Sequence, residues 1–266
     1  MKPYKMVAFD IDGTLVDDQK VLTEKTLELL ENLHKSKIEV CISTGRPFVG
    51  CRMILNKLSF KPSVIAYNGG SIYLKDDYVL LNERFLSFDS VKEILFLSEQ
   101  FQVSAMIWVS DTLFVLRENK WVDEYKKISL VSPVVIDSLD VLKDLKVNKI
   151  LLYSSLEKIS LVKSRLTSGA YDYFSSKKDF LEIVPKDVNK GEALKVLSKE
   201  LGVLKEEIIA VGDGDNDISM IEYAGLGIAM NNASEGLKAV ADVVVPFTNN
   251  EDLLKKYLEN LLKILQ

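Results

Sequence analysis

A short apolar stretch, Met6-Val7-Ala8-Phe9, runs straight into Asp10-Ile11-Asp12-Gly13-Thr14-Leu15. The apolar part has the length of a strand buried on both faces, and such strands belong to parallel sheets. In an open parallel sheet, ligands bind just beyond the carboxyl ends of the strands, which is where Asp10 and Asp12 fall. Aspartate and glycine also cap strands and begin turns. Two carboxylates abutting a wholly apolar strand still make a poor turn, because burying unpaired charge is heavily penalised. A hard divalent cation resolves the conflict, and Mg²⁺ uses a few carboxylates together with phosphate oxygens.

The chain has 266 residues, enough for one large domain or two moderate ones. It is 47% apolar and 27% charged, an ordinary balance for a globular protein. A formal net charge of -5, with basic residues never clustered beyond pairs such as Lys177-Lys178, argues against a nucleic-acid surface. No apolar run approaches the roughly 18 residues of a membrane span. Asp10 interrupts the first apolar stretch, so a secretory leader is not expected and a cytoplasmic protein is.

Cys41 and Cys51 make neither a disulfide framework nor a thiolate metal site, and both read as small core residues. His34 is the single histidine, in a helix rich in Glu and Lys. A two-histidine zinc site is therefore impossible, and a Ser-His-Asp triad would have to use His34. Acid-base work falls mainly to carboxylates, Lys or Tyr.

Along the chain, Thr23 caps a predicted helix with a stripe of Leu27, Leu30 and Leu33. Ile38 to Ile42 predicts a second strand, ending in Ser43-Thr44-Gly45-Arg46-Pro47, a turn that opens a further helix. Ser63 to Tyr67 predicts a third strand, closed by Asn68-Gly69-Gly70. Strand-loop-helix units in succession point to an α/β fold, a doubly wound, Rossmann-like and mostly parallel sheet. Between about residues 83 and 184 the pattern changes to hairpin-like pairs, such as Ala105–Val109 with Leu113–Leu116, alternating with helices such as Ser90–Phe101. That is an α+β signature, and it predicts an inserted domain over 83–184 within a core of 1–82 and 185–266. From Asn189 the first pattern resumes, with a helix through Leu194 and Leu197 and a strand Ile208 to Val211. Gly212-Asp213-Gly214-Asp215-Asn216-Asp217 comes next, and an amphipathic helix Leu253–Leu265 ends the sequence.

Four loops thus converge on one rim of the predicted sheet. They supply Asp10 and Asp12, Thr44 with Gly45, Lys190, and Asp213 with Asn216 and Asp217. Taken singly, each has a plain alternative: an N-cap turn, a solvated helix-start lysine, a calcium loop that lacks its closing glutamate. Taken together, they are what phosphoryl transfer needs: a carboxylate nucleophile, a second carboxyl for proton transfer, a metal site, and donors for phosphate oxygens.

These segments, with Asn68-Gly69-Gly70 and Asn189-Lys190-Gly191, resemble the successive motifs of the haloacid dehalogenase superfamily. More narrowly, the chain resembles its Cof-type phosphatases, which carry a large α/β cap between the second and third motifs. The resemblance spans essentially the whole length, and is weaker in the cap. It implies a Mg²⁺-dependent phosphatase acting on small phosphomonoesters, sugar phosphates or phosphorylated cofactors, through an aspartyl-phosphate. Asp10 would be the nucleophile and Asp12 the acid and base. Asp10 and Asp213 would hold Mg²⁺ by their carboxylates and Asp12 by its backbone carbonyl. Thr44, Lys190, Asn216 and the amides of Ile11 and Gly45 would bind the phosphoryl group. Asp217 would orient Lys190 or metal-bound water, and Ser43 would be structural.

The implied partner is a small phosphorylated metabolite, with no nucleic acid and no membrane, and a monomer is compatible with the sequence. Lys177, Lys178, Arg117 and Trp108 are cap candidates for substrate contact, with Lys186 near the return hinge. Two other readings stay open from sequence. A phosphomutase shares the core and cap, and a phospho-acceptor signalling module also gathers acidic residues, a hydroxyl and Lys around Mg²⁺.

Overall fold

A computed structural model describes residues 4–167, 169–175 and 178–265. Lys177, one of the cap candidates, lies outside the described residues. Contacts divide the chain into two compact units. One holds the residues up to Gly45, Cys51–Asn82 and the chain from Asn189 on; the other holds Arg46–Gly50 and Glu83–Val188.

The first unit is built on an eight-stranded sheet. Its strands lie in the order Val243–Val244, Leu226–Ala229, Ile208–Gly212, Met6–Phe9, Glu39–Ser43, Ser63–Ala66, Ser71–Tyr73 and Leu80–Glu83. The six from Val243–Val244 to Ser63–Ala66 pair in parallel. Burial on both faces explains the unbroken apolar runs. Met6, Ala8, Cys41 and Ala210 join Leu194, Leu197, Met220 and Leu237 in one cluster. Val7, Phe9, Val40 and Ile42 point the other way and are buried too. Helix Glu24–Lys35 packs against the strand Glu39–Ser43 and the helix Leu254–Leu265. The core is thus doubly wound, with helices on both sides.

Local chemistry starts the helices where the sequence predicts. The Thr23 hydroxyl accepts from the Thr26 amide at 3.2 Å, and Asn189 Oδ1 accepts from the Glu192 amide at 2.8 Å. The latter cap places Lys190 at the first position of the helix Lys190–Glu200. Met6 and Phe9 align with Ile208 and Val211 on one side and with Glu39 and Ile42 on the other. In that register Asp10, Thr44 and Asp213 each come directly after a strand, at the same end of the sheet.

The second unit has a six-stranded sheet in the order Tyr171–Phe174, Phe180–Pro185, Lys149–Tyr153, Ser104–Val109, Thr112–Val115 and Val134–Val135. All neighbours pair antiparallel except the last two. Ala105, Ile107, Ile150 and Leu152 pack against Ile94, Leu95, Ile159 and Val162 of the helices Phe88–Gln100 and Leu156–Lys163. The unit runs to Val188 rather than 184, since Pro185 still pairs with Tyr171 and Lys186 reaches Asp172 at 2.7 Å. Trp108 is fully buried, and its indole N–H donates to the Tyr125 hydroxyl at 3.0 Å. Arg117 and Lys178 are exposed.

Candidate active site

The loop leaving the first strand is held by its neighbours and by itself. The Asp10 amide donates to the Val211 carbonyl at 3.0 Å, and the Leu15 and Val16 amides donate to the Ile11 carbonyl at 3.0 and 3.1 Å. Gly13 turns the loop at φ 87°, where a Cβ would lie 2.2 Å from Asp213 Oδ2. Only glycine permits both the left-handed turn and that approach. The Thr14 hydroxyl then donates to Asp213 Oδ1 at 3.1 Å. Asn232 Nδ2 donates to the Gly13 carbonyl at 2.9 Å and to Asp213 Oδ2 at 3.4 Å. Two loops 200 residues apart in the chain are thereby fastened around one carboxylate.

Lys190 lies at the centre. It is fully buried, and its Nζ donates to Asp10 Oδ1 and to Asp217 Oδ1, each at 2.5 Å. Asp217 Oδ2 accepts from the amides of Asp213 and Gly214 at 3.0 and 2.9 Å, so both its oxygens are engaged. Gly69, at φ 107°, lets the loop after the third strand press against the start of the lysine's helix, since a Cβ there would lie 2.4 Å from the Asn189 carbonyl oxygen. Burial disfavours the charged form of Lys190, but Asp10 and Asp217 outweigh it and raise its pKa above the ordinary lysine value.

Carboxylate oxygens of Asp10, Asp213 and Asp217 all lie within 4.8 Å of one another. Three carboxylates face one ammonium, leaving an excess of two negative charges if all are ionised. Burial pushes the Asp10 carboxyl well above the ordinary range; Lys190 opposes this, and Asp217, Asp213 and Asp12 reinforce it. Burial first, then the Asp217 charge, pushes Asp213 up to about 7. A pocket that strains to keep its carboxylates charged fits a hard divalent cation, and an all-oxygen donor set suits Mg²⁺.

Thr44 is buried beside this cluster's sheet end, with its amide on the Ile65 carbonyl at 2.8 Å and its carbonyl taking the Asn68 amide at 2.9 Å. Asn216 sits on the one-turn helix Asp215–Asp217, and its Nδ2 donates to Asn68 Oδ1 at 2.9 Å. Ile11 is fully buried behind Asp10. Ser43 is buried as well, and its hydroxyl has no hydrogen-bond partner among the described residues.

The Asp12 carboxylate stands apart from the cluster of three. It pairs with Lys20 at 2.8 Å, and its side chain is 38% exposed. Lys20 holds a left-handed φ of 64° at a turn closed by its amide on the Asp17 carbonyl at 2.9 Å. Sequence reasoning missed Lys20, Asn232 and the role of Thr14. Asn232 carried only a weak signal, since it is the third residue past the strand Leu226–Ala229, whereas Asp213 directly follows its own. Cys41 is inert, its thiol pushed by burial up to about 12.

A model of the haloacid dehalogenase-like hydrolase family matches residues 7–258. The chain is 29% identical to the 5-amino-6-(5-phospho-D-ribitylamino)uracil phosphatase YitU of Bacillus subtilis, over 97% of each chain. It is 30% identical to a phosphoglycolate phosphatase of Methanopyrus kandleri, over 96% of this chain and 98% of that one. Among solved structures, a haloacid dehalogenase-like hydrolase from Bacteroides thetaiotaomicron superposes with a TM-score of 0.90 at 29% identity, covering 97% of this chain and 99% of the other.

Proposed function

The chain belongs to the haloacid dehalogenase-like hydrolases, and from that premise we propose a Mg²⁺-dependent phosphatase that cleaves small phosphomonoesters through a phosphoryl group held on Asp10. The observation that carries this reading is the buried Asp10–Lys190–Asp217 chain beside Asp213. It presents one carboxylate, braced by a cation, at the rim where a phosphate would enter.

Asp10 attacks phosphorus, forming an Asp10 Oδ–P bond as the ester P–O bond breaks. Asp12, in its acid form, gives a proton to the departing alkoxide. As carboxylate, it then takes a proton from the water that attacks the same phosphorus; the Oδ–P bond breaks and inorganic phosphate leaves. Lys190, Asn216, the Thr44 hydroxyl and the Ile11 and Gly45 amides take the equatorial oxygens, positioning the group and stabilising its charge with donors already in place. Asp10, Asp213 and the Asp12 carbonyl would hold Mg²⁺, which supplies cancellation of the phosphate–carboxylate repulsion. Asp217 keeps Lys190 in line. Selection of the leaving group is assigned to the inserted unit.

The relatives' names point to substrates bearing phosphate on a primary carbon of a small polar chain. We assign this chain the same class, sugar and polyol phosphates foremost. Phosphate release across sugar phosphates, a ribityl phosphate, phosphoglycolate, flavin mononucleotide and pyridoxal phosphate, with Mg²⁺ and with EDTA, tests both parts. Full activity in EDTA would remove the cation. Phosphate retained on an isomerised product would make the enzyme a mutase.

Asp12→Ala should lower kcat by about 10²–10⁴-fold, while the inhibition constant of inorganic phosphate stays near wild type. Unchanged kinetics would refute proton transfer by Asp12.

The carboxyl shifts also fix a pH dependence. Asp213 has a folded-state pKa of about 7, above its unfolded value, so its stabilising contribution is full below the unfolded pKa and is lost as pH rises through 7. Mg²⁺ needs the ionised form and displaces the proton. The rise in Tm on adding Mg²⁺ should therefore be larger at about pH 8 than at about pH 5.5. Equal rises at both would contradict the assignment of Asp213 as a ligand.

A further inference from the structure

Among the described residues, Asn68 has the one buried side-chain nitrogen without a hydrogen-bond partner. The residue is 2% exposed, so bulk water does not substitute for the missing acceptor. Its Oδ1 is taken by Asn216 Nδ2 at 2.9 Å, which fixes the amide with Nδ2 turned to the other side. That amide lies against Gly45, whose Cβ position would be 3.0 Å from Asn68 Nδ2 and 3.1 Å from its Oδ1. Tyr67 and Asn68 both adopt left-handed backbone, φ 54° and 56°, to put it there. Asparagine tolerates that conformation and tyrosine much less so. The orphan donor thus belongs to an amide that touches two residues to which phosphoryl oxygens have been assigned, Gly45 and Asn216.

We propose that Asn68 is a further phosphoryl-binding residue, whose Nδ2 donates to an oxygen of the transferring group while its Oδ1 fixes the amide of Asn216. The inference rests on the phosphatase reading above and adds a donor to it. A buried donor left unmade is costly, and an anionic oxygen is the acceptor that relieves it best. The Asn216 contact holds that donor in one orientation before any substrate arrives.

Two substitutions separate this role from simple bracing. Asn68→Asp keeps an oxygen to accept from Asn216, but turns a second, anionic oxygen toward the phosphoryl site. Asn68→Ala removes both contacts. With inorganic phosphate as the probe and Mg²⁺ present, the alanine variant should bind about ten-fold more weakly than wild type. The aspartate variant should bind about a hundred-fold more weakly, through like-charge repulsion. Half-saturating Mg²⁺ should move less than about two-fold in either, because Asn68 touches none of the clustered carboxylates. Melting curves establish that each variant is folded.

An aspartate variant that binds phosphate as well as the alanine variant, or better, overturns the proposal, since bracing alone would then explain Asn68. An alanine variant equal to wild type overturns it too, whether or not the aspartate variant folds. A wild-type chain that neither binds nor releases phosphate would fail the phosphatase reading itself. Wild-type activity beside unaffected variants would remove Asn68 alone.

Discussion

Asp10→Asn should reduce phosphate release by about 10⁵-fold or more, because an amide oxygen cannot serve as the nucleophile. The substitution changes almost no volume, so the loss is one of chemistry. Its effect on stability sharpens the point. Asp10 is 5% exposed and belongs to a cluster in which three carboxylates share one ammonium. Its carboxyl is pushed up mainly by burial, and the neutral amide does not carry that cost while its Oδ1 still accepts from Lys190. Without Mg²⁺ the variant should melt at or above the wild-type temperature. Activity within about ten-fold of wild type would place the nucleophile elsewhere.

The second large effect is expected at Lys190, and there stability and activity fall together. Its ammonium is fully buried between Asp10 and Asp217. Lys190→Met keeps the apolar stem and leaves two carboxylates facing each other without a cation. Removing one partner of a buried pair costs about 3–5 kcal/mol, which lowers Tm by on the order of 10 °C in a chain of this size. The phosphoryl group also loses a charged donor, worth about 10²–10³-fold in kcat. Lys190→Met with Asp217→Asn should recover much of the lost Tm, since the second change removes one of the stranded charges. It should recover none of the activity. A single variant as stable as wild type would show that the lysine is not the counter-ion the geometry makes it.

The core was legible because its signals are local. Buried parallel strands are short apolar runs, and the residue just past the end of such a run stands at the rim; that placed Asp10, Thr44 and Asp213 without any tertiary information. Leu194 and Leu197 likewise announced the helix that carries Lys190, whose cap at Asn189 the structure adds. Local reasoning failed where structure arises from meetings between distant loops. The contact between Asn68 and Asn216 spans 148 positions, and Asn232 reaches Gly13 across 219. Tyr67, read as the end of a strand, instead begins a left-handed turn that delivers Asn68. The short strands Ser71–Tyr73 and Tyr171–Phe174 offered too few alternations to recognise. Helix Lys120–Ser129 escaped because only Val122 and Tyr125 are buried along it, although Asn119 caps it plainly. The aromatic candidate Trp108 is interior packing of the second unit, while Arg117 and Lys178 remain at its surface.

The mechanism depends above all on transfer of phosphorus to one carboxylate. The direct measurement is an acid quench during turnover of a radiolabelled phosphomonoester, with borohydride reduction and mass analysis of the peptide containing residue 10. Label on the quenched protein, with Asp10 reduced to homoserine, is the expected result. A chain that turns over substrate rapidly while carrying no label, or carrying it on another residue, would contradict the account.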